Sequence, residues 1–97
     1  MSEVFEIGSL IAMSQDVRSG RPRIAGTGVT VQRIIRWYRL GLTLEEIVDC
    51  IGHLNLAQVH AAFAFYHANQ KIIESEISTD DLAADSAQRE AESGAVL

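Results

Sequence analysis

Few side chains in this chain are typed and spaced for covalent chemistry. The histidines are His53, His60 and His67. His60 and His67 are seven residues apart, so on one helix they face the same way but stand about 10 Å from each other. One metal ion cannot bridge that gap without a third ligand between them. No Cys-x-x-Cys, His-Glu-x-x-His or phosphate-loop pattern occurs. Glu45, Glu46 and Asp49 cluster, but Glu46 is placed to cap a helix and the other two read as a solvated face. Cys50 is the single cysteine, which excludes an internal disulfide and reads as a small helical apolar residue. No nucleophile stands in a pattern that pairs it with a base. The expectation is a non-enzymatic protein with no metal and no cofactor.

The chemistry the sequence does offer is the binding of anions. Residues 1–40 carry Arg18, Arg21, Arg23, Arg33, Arg36 and Arg39 against Glu3, Glu6 and Asp16, a net of +3. Residues 41–97 carry Lys71 and Arg89 against ten acids, a net of −8, so the whole chain stands at −5. A chain divided in this way has one face that can meet an anion and another that repels it.

The elements that must position these arginines follow from periodicity. Ninety-seven residues suit one domain with one modest core. Val4 to Met13 alternates loosely, with Phe5, Ile7, Ile11 and Met13 on one side, which predicts a half-buried strand. Ser14 to Gly20 is turn-like, and Arg23-Ile24-Ala25 can supply a second strand. A two-stranded arm alone is marginal in water, so it must pack on helices or on a second subunit. Between arm and helices lies Ser19 to Val31, with Gly20, Gly26, Gly28 and the only proline, Pro22; it reads as a hinge.

Val31, Ile34, Ile35 and Tyr38 recur at helical spacing, with Thr30 as cap and Gly41 as stop. Arg33, Arg36 and Arg39 form a stripe off the apolar side, with Trp37 beside it and partly buried. Thr43 and Glu46 form a capping box, and Asn55 and Gln58 repeat it. Leu42 with Ile47, and Leu54 with Val59, stand where hydrophobic staples close. Leu44, Ile47, Val48 and Ile51 form the stripe of a short second helix, which Gly52 ends. Two starts, one stop and a short turn predict a helix–turn–helix. A long third helix is expected from Leu56 to about Ile77. Its far half would expose apolar surface in a monomer, so Phe63, Phe65, Tyr66, Ile72 and Ile73 are candidate dimer contacts.

The predicted organisation is mainly α: a short extended β arm and Gly-rich hinge over 1–29, a helical body over 30–77 and an acidic flexible tail over 78–97. Thr79 stands where it can cap a weak last helix reaching Glu92. No apolar run approaches the roughly 18 residues of a membrane span. No secretory segment is visible at the start, and a cytoplasmic location is expected.

The ordered series Gly20-Arg21-Pro22, Ile24, Gly26-Thr27, Gly41-Leu42-Thr43-Leu44-Glu45-Glu46-Ile47 and Ala61-Ala62-Phe63-Ala64-Phe65-Tyr66 resembles the domain of unknown function 433 family. The resemblance runs from about Ile7 to Gln70. It implies a homeodomain-like three-helix bundle with a helix–turn–helix, in a protein that is typically dimeric. It also implies the antitoxin half of a toxin–antitoxin pair, with a PIN-type ribonuclease as toxin. The family pattern has arginine after Gly-Thr, where this chain has Gly28, and proline before the helix valine, where it has Thr30. The role of that arginine is lost here or passes to Arg21, Arg23 or Arg33.

Two functions are then expected. In the first, a homodimeric autorepressor binds the double-stranded DNA of its own promoter through Arg18, Arg21, Arg23, Arg33 and Arg36. Asn55 and Gln58 would be its base-reading residues. From Gly52 to Gln70 there is no Lys or Arg, so every positive contact must come from Arg18 to Arg39. In the second, a protein-interaction module binds a partner with little or no contact to DNA. Arg89, the sole basic residue of the tail, is its candidate partner contact in an acidic toxin site.

Overall fold

The arm turns back on itself at Gly26, whose φ of 78° favours glycine. Thr27 closes that turn. Its backbone N–H and its hydroxyl both donate to the Ile24 carbonyl, at 3.1 and 2.9 Å, and its Oγ1 accepts from the Val29 N–H. The Ile24 N–H donates to the Val29 carbonyl and the Val31 N–H to the Pro22 carbonyl, both at 2.9 Å. The hinge is therefore a hydrogen-bonded turn leading straight into a helix. The computed structural model describes the backbone of residue 4 and of residues 6–96, and side chains as far as residue 84.

The strand expected over Val4 to Met13 is much shorter. Ile7–Leu10 is a 3-10 turn, and β1 is only Ile11–Ala12. It pairs antiparallel with β2, Arg23–Ile24, with Ile11 opposite Ile24 and Ala12 opposite Arg23. The ladder ends on one side where the Arg21 N–H turns to the Arg18 carbonyl, and on the other at the Gly26 turn. Of the alternating apolar residues, Ile11 packs against the core. Ile7 and Met13 are exposed, and Phe5 lies outside the described residues.

Helix α1 spans Val31–Arg39, and the Thr30 side chain accepts from the Arg33 N–H. Val31, Ile34 and Ile35 are buried as the periodicity requires. Tyr38, the fourth member of that stripe, is half exposed and meets Phe63 edge-on with centroids 5.0 Å apart. Helix α2, Leu44–Ile51, and helix α3, Leu56–Ala68, each begin with a complete capping box, Thr43 with Glu46 and Asn55 with Gln58. The Glu46 carboxyl is held below its usual range by the Thr43 N–H and hydroxyl. Gly52, at φ 82°, ends α2 in the left-handed turn expected of it.

The long third helix breaks where the sequence predicts continuity. Asn69 has φ −138° and ψ 44° and separates α3 from α4, Gln70–Val96. Its side-chain amide donates to the Phe65 carbonyl, and its own carbonyl accepts from the Ile73 N–H. Asparagine competes for backbone partners in this way and so favours helix ends over helix interiors. Beyond the break α4 packs against α1. Ile73 is wholly buried and Ile77 nearly so. The composition change at Ser78 is not a structural boundary, because α4 runs through it without interruption.

The result is a mainly helical protein, a small bundle of four helices with a two-stranded antiparallel sheet at its N-terminal end. One core joins all of it. Ile24 from the arm, Val31 and Ile34 from α1, Ile47 from α2, Val59 from α3 and Ile73 from α4 are fully buried together. Among the described residues no helix is long and apolar enough to cross a membrane.

Candidate anion-binding site

Four of the six arginines of the arm and α1 meet at a groove of about 780 Å³. Arg18, Arg21, Arg33 and Arg36 line it, together with Thr30, Gln32 and Trp37. Arg18 reaches it through an unusual backbone. Arg18, Ser19 and Gly20 all have positive φ, at 51°, 55° and 81°. Two consecutive non-glycine residues in that region store strain of order 1–3 kcal/mol each. The Arg18 Nε donates to the Gly28 carbonyl at 2.9 Å. A Cβ at position 28 would stand 3.4 Å from Arg18 Nε and Nη2. That is an ordinary van der Waals contact, so the Gly28 carbonyl, rather than its missing side chain, seats the Arg18 guanidinium.

Arg33 projects from the exposed side of α1, with its guanidinium carbon 5.2 Å from the centroid of the Trp37 ring. Trp37 is half-buried, as its place beside the stripe implies. Gln32 lines the groove with only 8% of its surface exposed, and its Oε1 is buried without a hydrogen-bond partner.

Arg21, Arg36 and Arg39 are engaged by α4. Arg21 holds Asp80 with two parallel hydrogen bonds, 2.7 and 2.8 Å long. Arg36 pairs with Asp81 at 2.7 Å and stands 4.0 Å from Asp80. Arg39 binds Glu74, which also accepts from the Tyr66 hydroxyl. These bonds hold the Asp80 and Glu74 carboxyls below their usual range, and Asp80 chiefly through Arg21. The Tyr66 hydroxyl moves up because it donates to Glu74.

Glu76, between these pairs, shifts the other way. Burial raises its pKa despite nearby Arg21, and its Oε1 is buried without a partner. The two signs have opposite consequences for stability. Asp80 stabilises the fold above the carboxylate's unfolded pKa and loses that contribution as pH falls through its lowered folded value. Glu76 stabilises most below its unfolded pKa and loses its contribution as pH rises through the raised one. Glu76→Gln is therefore expected to raise the Tm at pH 7 and to leave it unchanged near pH 3, as thermal melts across that range will read.

The other residues expected to touch DNA are not on this groove. Arg23 lies within the arm: its Nη2 donates to Ser14 Oγ at 3.0 Å, and its Nε and Nη1 are buried. Asn55 and Gln58 stand at the start of α3, each bonded to the other's backbone N–H. Among the expected dimer contacts, Ile73 is buried in its own chain's core and presents no surface to a second copy. Phe63, Phe65 and Tyr66 are half-buried against that same core, and Ile72 is half exposed. The Arg89 side chain lies outside the described residues. The histidines are all exposed, and among the described residues no His/Cys/Asp/Glu group is arranged to hold a metal ion.

The acids of α4 are the part of this site that sequence reasoning does not find. Arg21 and Asp80 are 59 positions apart, and no local pattern joins them. The one signal is the charge division between the two parts of the chain, which in isolation reads as attraction and repulsion toward outside partners rather than as self-complementarity.

A search of curated proteins finds no match. Among solved structures, the crystal structure of a DUF433 member protein from Anabaena variabilis is similar, with a TM-score of 0.70 and 24% identity over 72% of this chain and 69% of that one. At that identity the likeness speaks for the fold alone. The family model described as "Protein of unknown function (DUF433)" matches residues 11–66, which run from β1 to two residues short of the end of α3. The chain belongs to the DUF433 family.

Proposed function

We propose that this protein is a non-enzymatic, DNA-binding regulator that meets the phosphate backbone through its arginine groove. The observation that carries this reading is the gathering of Arg18, Arg21, Arg33 and Arg36 around one groove in a chain whose net charge is −5. Arginine is suited to phosphate because its planar guanidinium offers paired donors. In this reading the backbone contacts carry the affinity, and because Asn55 and Gln58 are engaged in a cap, selectivity comes from the sequence-dependent shape of the duplex. The family resemblance supports the narrower role of a homodimeric antitoxin that represses its own promoter and neutralises a PIN-type ribonuclease.

The test is binding to the chain's own promoter and to a scrambled duplex at two salt concentrations. Selective binding that weakens steeply with salt is the expected result. Equal, weak binding to both would remove the regulator reading.

A second reading has its own observation. Arg21, Arg36 and Arg39 already hold carboxylates, so the basic face is largely neutralised within the chain. That favours a protein-interaction module with little contact to DNA. Co-purification of a small ribonuclease encoded beside this chain, together with no promoter selectivity, is the result this reading expects.

A further inference from the structure

Three ion pairs join α4 to the arm and α1, two of them at the groove. All three arginines concerned are reached by one element. Asp80 and Asp81 meet Arg21 and Arg36, and about two turns earlier Glu74 meets Arg39. Running up α1 from Arg36 to Arg39 corresponds to running down α4 from Asp81 to Glu74, so the two helices match charge to charge in opposite directions.

The way α4 is held divides it in two. Its first part is anchored by apolar burial at Ile73 and Ile77. Past Ile77 the burial stops: Asp81, Leu82, Ala83 and Ala84 are all exposed, Leu82 by 68%. Among the described residues, what joins that stretch to the body is Asp80 and Asp81. Their side chains and those of Arg21 and Arg36 are 29–58% exposed, so water screens the pairs and each is worth little. The two carboxylates can let go of the arginines without disturbing the core, and the helix beyond Ile77 can leave only by unwinding there.

The remaining two arginines are not held by acids among the described residues. Arg33 is exposed beside Trp37, and Arg18 gives one N–H to Gly28. The groove thus has two arginines open and two covered, and the covering groups have the chemistry of the expected ligand. A carboxylate and a phosphate diester both accept two parallel N–H bonds from one guanidinium.

We propose that α4 is an internal competitor for the groove, its Asp80 and Asp81 occupying Arg21 and Arg36 against the phosphates of double-stranded DNA. This inference rests on the reading of the groove as a phosphate-binding surface. Duplex DNA engages Arg18 and Arg33 first, and must then displace the two carboxylates to reach the other two. A partner that binds the end of α4 and draws it away strengthens DNA binding, and one that clamps it in place weakens it.

The test compares the whole protein with two variants of equal net charge. Asp80→Asn with Asp81→Asn frees the arginines. Glu45→Gln with Asp49→Asn removes two exposed acids from α2, away from the groove. Both are surface changes whose folding is checked by thermal melts. Affinity for a scrambled duplex is measured, as is the rate at which phenylglyoxal modifies Arg21 and Arg36, read by mass spectrometry. The first variant is expected to bind about tenfold more tightly than the wild type, the gain from two screened pairs, with faster modification of both arginines. The second is expected to gain much less in affinity and nothing in modification rate. Equal gains in the two variants, or unchanged modification in the first, overturns the competition. No duplex binding by any of the three overturns the phosphate reading and this inference together. Equal affinity for promoter and scrambled duplex overturns the regulator reading alone.

Discussion

Ile73→Ala is expected to destabilise the protein by about 3 kcal/mol, the usual scale for emptying a fully buried isoleucine site. In a domain of this size that lowers the Tm by about 10–20 °C. The cause is local. Ile73 is completely buried with Ile24, Ile34, Ile47 and Val59 in a core to which all four helices contribute, and a close-packed core cannot collapse fully around the missing atoms. The melt should shift equally at low and high protein concentration, because the packing that Ile73 provides lies within one chain. A dimer contact at Ile73 would instead make the effect depend on concentration. Ile72, its half-exposed neighbour, supplies the contrast. Ile72→Ala should leave the stability of the monomer within about 0.5 kcal/mol of its original value, and any change in oligomeric state it causes would report a role at a subunit interface.

Replacing Arg18 and Arg33 together by alanine should weaken binding to duplex DNA by about a hundredfold at low salt, as two charge-assisted hydrogen-bonding groups are removed. The slope of log affinity against log salt should fall by about 1.8, since each phosphate contact contributes about 0.9. These two arginines are chosen because neither is held by an acid of α4 among the described residues, so their removal leaves no carboxylate without its partner. Arg21→Ala would be a poorer probe, because it strands Asp80. Asn55→Ala tests the opposite expectation. It removes an N-cap and should cost about 1 kcal/mol of stability, while the salt slope stays where it was. An unchanged slope in the Arg18 and Arg33 double variant would mean that the groove does not meet phosphate.

Much of the local structure is legible in the sequence because its causes are local. The caps at Thr30, Thr43 and Asn55 and the stop at Gly52 follow from groups a few residues apart, and such bonds form wherever those residues stand in that order. The buried stripe of α1 and the staple residues Leu54 and Val59 are legible for the same reason, since helical spacing alone decides which side chains share a face. The non-enzymatic expectation comes from missing patterns, and nothing in the fold is needed to form it.

What the sequence conceals depends on contacts distant along the chain. Alternation from Val4 to Met13 cannot say that the partner strand is two residues long. The residues from Leu56 to Ile77 are good enough helix formers to read as one helix, and only the carbonyls around Asn69 and the core space that Ile73 fills decide where it breaks. The arginines are visible, but not their occupation. A run of acids after Ser78 reads as a solvated tail in isolation, because charge by itself has no address. Only when α4 packs against α1 do Glu74, Asp80 and Asp81 come opposite Arg39, Arg21 and Arg36. The sequence alone determined the charges and the caps; the tertiary structure decided which charges meet, because Coulomb and hydrogen-bond energies depend on distances that chain order does not set.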